Sequence, residues 1–299
     1  MFRPLVALLF AGGMASAAAE VRLLTSVKPL QLIAAAVQDG AGRPAALLPP
    51  GASPHHYALR PSDVRALHEA TLFYWIGPDL EGFLPKVLAG RQGPSLAMQE
   101  LPGLQLRHFA SDPEAHGDEH DHAHRPGTLD AHLWLLPANA RLIAERMAAD
   151  LAAVDPDNAA RYQANLATFQ ARLDALDGRL RARLEQLAGK PYFVFHEAYD
   201  YFEAAYGLDH AGVFSVSPDV QPGARQVARM RQRLQEAGPT CVFSEPPLQP
   251  RLARTLSAGL PVRLAELDPL GSGVPVGPQG YEQLLERLGE GLAGCLESL

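Results

Sequence analysis

The sequence predicts an α/β protein with two open lobes, each built around a parallel-type sheet, joined by one long helix. The first observation is a segment of about 32 residues whose apolar side chains recur every three or four positions, which is the spacing of one helical face. The second is that the segments before and after it alternate strand-like apolar runs with helical patterns. Such alternation is typical of a parallel sheet covered by helices on both faces.

The long helix is predicted over residues 156–188. Its apolar face consists of Tyr162, Leu166, Phe169, Leu173, Leu176, Leu180, Leu184 and Leu187. Asp155 is a favourable N-cap and Pro156 a favourable first residue, while Gly189 and Pro191 end the helix. At 1.5 Å per residue the helix spans about 48 Å, enough to link two lobes. The alternative is a coiled-coil segment or one arm of a helical bundle.

Residues 1–19 have the features of a secretory signal peptide. Arg3 supplies the positive charge, residues 5–10 are apolar, and alanines at 17–19 form a small-residue cleavage site. The apolar stretch is too short to span a membrane, and no later stretch reaches that length. We expect the mature chain to begin at Glu20 and to be soluble outside the cytoplasm, with no lipid anchor because no cysteine stands at the cleavage point.

The first lobe is predicted over residues 20–155. Its strands are expected at 21–27, 45–48, 71–76 and 95–98, and its helices at 29–37, 61–70, 79–88 and 139–154. Ser62 is the expected N-cap of the second of these helices.

A polar loop interrupts the first lobe at about residues 111–125. Its four histidines alternate with acidic residues and are His116, His120, His122 and His124. The apolar pattern fails throughout the stretch 101–130 around it, so we expect a flexible surface loop. Such runs bind zinc, copper or nickel, with low affinity because ordering the loop costs conformational entropy. The alternative is a solvated linker without a ligand.

The second lobe is predicted over residues 189–299. Its strands are expected at 192–196, 213–214, 240–243 and 261–265, and its helices at 197–206, 223–237, 249–258 and 278–296. Cys241 and Cys295 both fall in this lobe, and outside the cytoplasm two cysteines most simply form one disulfide. That disulfide would tie the last helix to the strand holding Cys241. The alternative is two buried thiols.

Charge and cysteine usage exclude two classes of function. The formal net charge is −7 and no stripe of basic residues is present, so we expect no nucleic-acid partner. No C-x-x-C motif occurs, which argues against a redox enzyme.

Three histidines and one aspartate stand where a ligand site is expected. His55 lies in the loop after the second strand, His132 at the exit of the polar loop, and His196 at the end of the first strand of the second lobe. Asp268 follows the last strand of that lobe. Ligands of open α/β sheets bind at the carboxyl ends of strands, so two groups from each lobe predict a zinc site in the cleft between them. Taken singly, each histidine is more commonly a hydrogen-bonded structural group and Asp268 a turn residue.

The motifs around these residues resemble the periplasmic zinc-binding components of ABC-type zinc uptake systems, within the wider zinc/manganese substrate-binding family. The matching segments are 51–57 (GASPHHY) with 60–63 (RPSD), 130–135 (DAHLWL), 194–199 (VFHEAY), 244–247 (SEPP) and 267–271 (LDPLG). The resemblance covers essentially the whole mature chain, including the histidine loop and the C-terminal cysteine pair.

The resemblance implies two lobes joined by one long helix, with Zn²⁺ held between them by His55, His132 and His196. Asp268 matches the acidic position of the family. Manganese-binding relatives typically place a carboxylate where this chain has His196, which favours zinc because nitrogen donors suit zinc and oxygen donors suit manganese. Some zinc-binding members have a glutamate just before the first histidine. Pro54 stands there in this chain, so the fourth ligand is Asp268 or water.

The implied function is capture of Zn²⁺ in the periplasm and its delivery to an ABC-type membrane permease driven by a cytoplasmic ATPase. We expect a monomer that is not an enzyme. One alternative is a periplasmic zinc buffer or adhesin that uses the histidine loop. Another is a zinc hydrolase with Glu197 or Asp268 as general base, although no H-E-x-x-H motif is present.

Overall fold

The computed structural model describes residues 21–109, 127–215, 223–246 and 251–299. The first lobe is built on the strands β1 (Leu23–Thr25), β2 (Ala45–Ala46), β3 (Leu72–Trp75) and β4 (Ser95–Ala97). They form a sheet in the order β2-β1-β3-β4, and every neighbouring pair is parallel. The central strands β1 and β3 are buried along their whole length, as expected of a parallel sheet covered on both faces.

A short antiparallel hairpin follows, made of β5 (Arg107–His108) and β6 (Leu129–Asp130). The sequence pattern did not predict these strands, because each contributes only two residues. Tertiary contacts hold them in place: the Arg107 backbone N–H donates to the Tyr201 hydroxyl (2.8 Å), which donates to the Asp130 carbonyl (2.9 Å). The four loop histidines fall between the two strands and lie outside the described residues.

The second lobe contains β7 (Tyr192–His196), β8 (Gly212–Ser215), β9 (Thr240–Ser244) and β10 (Val262–Glu266). They form a second parallel sheet in the order β10-β9-β7-β8. Two separate parallel sheets confirm the predicted fold class.

Helices cover both sheets. They are α1 (Lys28–Val37), α2 (Pro61–Glu69), α3 (Pro85–Leu88), α4 (Pro137–Val154), α5 (Ala159–Leu184), α6 (Asp200–Tyr206), α7 (Ala224–Ala237), α8 (Arg251–Ser257) and α9 (Gly280–Leu296).

The predicted long helix is α5, extended at its two ends by the 3₁₀ turns Pro156–Asn158 and Glu185–Leu187. Every residue of its predicted apolar face is buried. The Asp155 side chain stabilises the start by accepting hydrogen bonds from the Asn158 amide (2.9 Å) and the Tyr162 hydroxyl (2.6 Å). It makes no side-chain cap to a backbone N–H, so its role differs from the predicted one.

One hydrophobic core runs through both lobes, because α9 packs against α1 and α5. Two glycines permit this approach. A Cβ added at Gly289 would lie 2.5 Å from the Leu180 side chain of α5, and one at Gly280 would lie 2.6 Å from Leu32 of α1. The last helix therefore joins the second lobe to the first as well as to the long helix.

Buried hydrogen bonds near α4 also connect the lobes. The indole N–H of Trp134 donates to the Pro269 carbonyl (2.9 Å), and the Tyr281 hydroxyl donates to the Trp134 carbonyl (2.5 Å).

Within the second lobe, Cys241 on β9 and Cys295 on α9 form the predicted disulfide.

Two predicted details of the first lobe are wrong. The helix expected at 79–88 is reduced to α3, which begins at Pro85, a residue that favours the first position of a helix and cannot continue one from before it. Ser62 is not the cap of α2, since the N-cap position is Arg60, whose backbone N–H donates to the Asp63 carboxylate (2.8 Å).

Other predictions stay untested by the structure. The signal peptide, the start at Glu20 and the beginning of the helix predicted at 249–258 lie outside the described residues. The lobe boundaries near residues 155 and 188 also stay predictions. In the described ranges, no helix is long and apolar enough to cross a membrane.

Candidate metal centre

Three histidines from separate segments meet between the two sheets. His55 lies in the loop between β2 and α2, and His132 lies two residues after the end of β6. His196 is the last residue of β7. Their ring centroids are 4.9 Å apart for His132 and His196, 5.2 Å for His55 and His196, and 5.5 Å for His55 and His132. One ligand atom from each lies within 4.8 Å of the others. The predicted convergence of the three imidazoles is therefore present.

A buried carboxylate orients His132. The Asp130 Oδ1 atom lies 2.7 Å from the ring Nδ1 of His132 and also accepts the His132 backbone N–H at 2.9 Å. This contact assigns the proton to Nδ1, so Nε2 is the nitrogen that can bind a metal. Asp130 is completely buried and His132 is 2% exposed, so water cannot compete for this bond.

A second carboxylate orients His196. The ring Nδ1 of His196 lies 3.3 Å from Glu245 Oε2, and both residues are buried. Glu245 follows β9, next to the strand that His196 ends. This places Nε2 of His196, like that of His132, as the ring atom available to a metal.

Sequence reasoning missed the roles of Asp130 and Glu245. They lie in the motifs 130–135 and 244–247. The signal available for Asp130 is its position two residues before a candidate ligand, and for Glu245 its position at the end of a predicted strand. Metal-binding histidines commonly pass their second ring N–H to a carboxylate.

The electrostatics of the site keep one imidazole neutral. Burial, helped by repulsion from His196, holds the pKa of His132 well below its usual value. Burial also acts to lower the pKa of His196, but the neighbouring Glu245 carboxylate outweighs it and the pKa is raised. Burial raises the pKa of Asp130 to about 7. Neutral imidazole is the form that binds metal, and His132 already holds that form.

The structure does not bring Asp268 into the group of ligand atoms formed by the three histidines. Its two carboxylate oxygens accept the backbone N–H groups of Leu270 (3.1 Å) and Ser272 (2.6 Å). This is the turn role that the sequence left open, and the role of Asp268 as a ligand stays a prediction.

Of the other histidines that the structure describes, His56 and His68 are exposed.

Three imidazoles, two of them backed by buried carboxylates, form a site suited to a borderline divalent cation with tetrahedral geometry and one further position. The fold and the site together define a two-lobed protein of the binding-protein class with a candidate metal centre between its two sheets.

Comparison with known proteins identifies the family. The model of the family described as zinc-uptake complex component A, periplasmic (ZnuA), matches residues 23–295. The chain belongs to this ZnuA family. It is 39% identical over 293 residues to the high-affinity zinc uptake system protein ZnuA of Yersinia pestis, covering 93% of this chain and 92% of the relative.

Solved structures agree with this assignment. A crystal structure of ZnuA superposes with a TM-score of 0.77 at 25% identity, covering 92% of this chain and 98% of that one. A zinc-bound deletion mutant of ZnuA superposes with a TM-score of 0.75 at 25% identity, covering 92% and 97%. The predicted family and fold class are confirmed. Because the family is one of solute-binding components of zinc-uptake systems, the prediction that the chain is not an enzyme is confirmed as well.

Proposed function

We propose that the chain captures Zn²⁺ in the cleft through His55, His132 and His196 and delivers it to an ABC-type membrane permease. The observation that carries this proposal is the convergence of three imidazoles from separate segments, with ligand atoms within 4.8 Å of one another. The zinc bound in the ZnuA deletion mutant supports the choice of metal. Zinc is the cargo of this site and not a resident cofactor.

The donor set supports zinc over manganese. Imidazole nitrogen is a borderline donor that zinc accepts readily, whereas Mn²⁺ prefers carboxylate and water oxygens. Asp130 and Glu245 lie behind the ligands, where they increase the basicity of the rings without contributing an oxygen of their own.

A water molecule is the fourth ligand that the geometry favours. Both carboxylate oxygens of Asp268 already accept backbone N–H groups, and turning them to the metal would leave Leu270 and Ser272 without those partners. Replacing Asp268 with asparagine would weaken zinc binding strongly if the side chain is a ligand and only slightly if it holds the turn.

The proposal also covers where the chain acts, what the histidine loop does and how the metal is released. The chain acts in the periplasm after removal of residues 1–19, and His116, His120, His122 and His124 collect zinc with low affinity. Release to the permease requires small rearrangements, because α5, α9 and a shared core restrict opening of the lobes.

Zinc uptake in cells tests this function. A strain lacking its own zinc-binding component would receive the wild-type chain, His132→Ala, or the matched control His68→Ala, which changes an exposed histidine of α2. We expect growth under zinc starvation and ⁶⁵Zn uptake to be restored by wild type and His68→Ala but not by His132→Ala. Equal uptake with His132→Ala would contradict the proposal.

A permease deletion separates transport from buffering. Delivery through a permease predicts that the wild-type chain restores nothing in a strain that also lacks the permease. Rescue in that strain would favour the periplasmic buffer instead.

A further inference from the structure

A second group of metal-binding side chains lies outside the cleft triad. It consists of Glu197, Asp200 and His210, and one ligand atom from each lies within 4.8 Å of the others. Glu197 directly follows β7, Asp200 begins α6, and His210 lies between α6 and β8. A single strand–helix–strand segment therefore brings all three together.

His210 is held in one orientation by a carboxylate behind it. Its Nδ1 atom lies 2.9 and 3.0 Å from the two carboxylate oxygens of Glu203, and Glu203 in turn accepts the Tyr192 hydroxyl at 2.5 Å. Because Nδ1 is engaged in this way, Nε2 is the ring atom left for a cation. The arrangement repeats the one that orients His132 and His196, in which a carboxylate fixes the ring from behind.

One carboxylate oxygen of the cluster lacks a hydrogen-bond partner in the described part of the chain. Asp200 Oδ1 is buried and accepts no hydrogen bond there, which is costly for a carboxylate oxygen. None of the ion pairs among the described residues includes Asp200. A bound cation would give this oxygen a partner.

The site is reachable from solvent and differs chemically from the triad. Glu197, Asp200 and His210 are half-buried, whereas His132 and His196 are almost fully buried. Two oxygen donors and one nitrogen still suit Zn²⁺, but they discriminate less against metals that prefer oxygen. Such a site is expected to bind zinc more weakly than three imidazoles do.

We propose that Glu197, Asp200 and His210 form a second Zn²⁺ site, independent of the cleft and weaker than it. This assignment adds a site to the proposed transport function and does not depend on it.

Titration of the full mature chain with Zn²⁺ against a weak chelator tests the proposal. In all samples the loop ligands are removed by changing His116, His120, His122 and His124 to asparagine, and this chain is the background for the variants. The variants are Asp200→Asn, which leaves the bond between His210 and Glu203 in place, and His210→Asn. The matched control is His68→Asn. We expect two binding events in the background chain, and a loss of at least about tenfold in the weaker affinity for each site variant. The tighter event and the control should be unchanged.

Anomalous diffraction at the zinc edge gives a second readout, which does not depend on the stability of either site variant. Crystals of the background chain grown with excess Zn²⁺ should show a peak between Glu197, Asp200 and His210. Absence of a peak there, or a weaker binding event with the same affinity in Asp200→Asn and the background chain, would overturn the proposal.

Discussion

The buried carboxylate of Asp130 offers a sharp test of how the cleft is built. It contacts no metal in the proposed site, yet it lies 2.7 Å from Nδ1 of His132 and is fully buried. Changing Asp130 to asparagine keeps an oxygen that can accept the ring N–H but removes the negative charge. Changing it to alanine removes both, and leaves the ring N–H of a buried histidine without a partner.

The expected loss of zinc affinity follows from this geometry. Removing such a supporting group typically weakens metal binding about 10- to 100-fold, or about 1.4 to 2.7 kcal/mol. Full burial places Asp130 towards the upper end of this range, because no water can replace its oxygen. We expect the dissociation constant to rise by about tenfold for Asp130→Asn and by about 100-fold for Asp130→Ala.

Competition with a high-affinity fluorescent chelator would measure both variants. Asp174→Asn is the matched control, since Asp174 is an exposed partner of Arg141 on the outside of α5. Far-UV circular dichroism would confirm that each variant is folded. Dissociation constants within twofold of wild type for both Asp130 variants would refute the argument that this carboxylate supports the site.

Three further predictions concern stability. Replacing both Cys241 and Cys295 with serine should lower the free energy of unfolding in urea by about 4 kcal/mol, because the disulfide joins residues 54 positions apart in the chain. Zinc affinity should stay the same, and an equally stable variant would contradict this prediction. Gly289→Ala should destabilise the protein by about 1–3 kcal/mol, because the added Cβ meets Leu180, whereas Gly294→Ala on the same helix meets nothing within 4 Å and should be neutral or slightly stabilising. Equal thermal shifts for the two alanine variants would show that the packing of α9 on α5 is not as described. Burial raises the pKa of Glu81 from 4.5 to about 7, so the folded state binds this proton more tightly than the unfolded state does. The free energy of unfolding should therefore fall by on the order of 3 kcal/mol as the pH rises from about 4.5 through about 7. Glu81→Gln should remove that part of the pH dependence of urea unfolding, and an unchanged dependence would contradict the assignment.

Much of the fold was predictable because its signals are local. The buried face of α5 can be read directly from the spacing of Tyr162 to Leu187, and His196 stands at the end of an unmistakable apolar strand. The contact of α9 with α1 could not be read in this way. It depends on Gly280 meeting Leu32, two residues far apart in the chain, and a helical pattern does not reveal which neighbour its apolar face will cover.

In the candidate metal centre, the ligands could be predicted from the sequence, whereas the groups that orient them could not. The three histidines were predictable because each stands in a segment that resembles a family motif. His55 also follows a predicted strand, and His196 ends one. The roles of Asp130 and Glu245 were not, since a carboxylate behind a ligand leaves no periodic signal and becomes evident only from distances of 2.7 and 3.3 Å to the rings. Asp268 shows the converse: its position after a strand predicted a ligand, while its hydrogen bonds to Leu270 and Ser272 are those of a turn residue.

The most direct test of the central claim is a chelator-competition zinc titration of the mature chain from which residues 111–124 have been deleted. If the cleft is the functional site, one tight binding event remains, and His132→Ala in the same background abolishes it. If tight binding disappears with the loop alone, the assignment of His55, His132 and His196 as the transport site is wrong, and a zinc buffer based on the histidine loop becomes the better account.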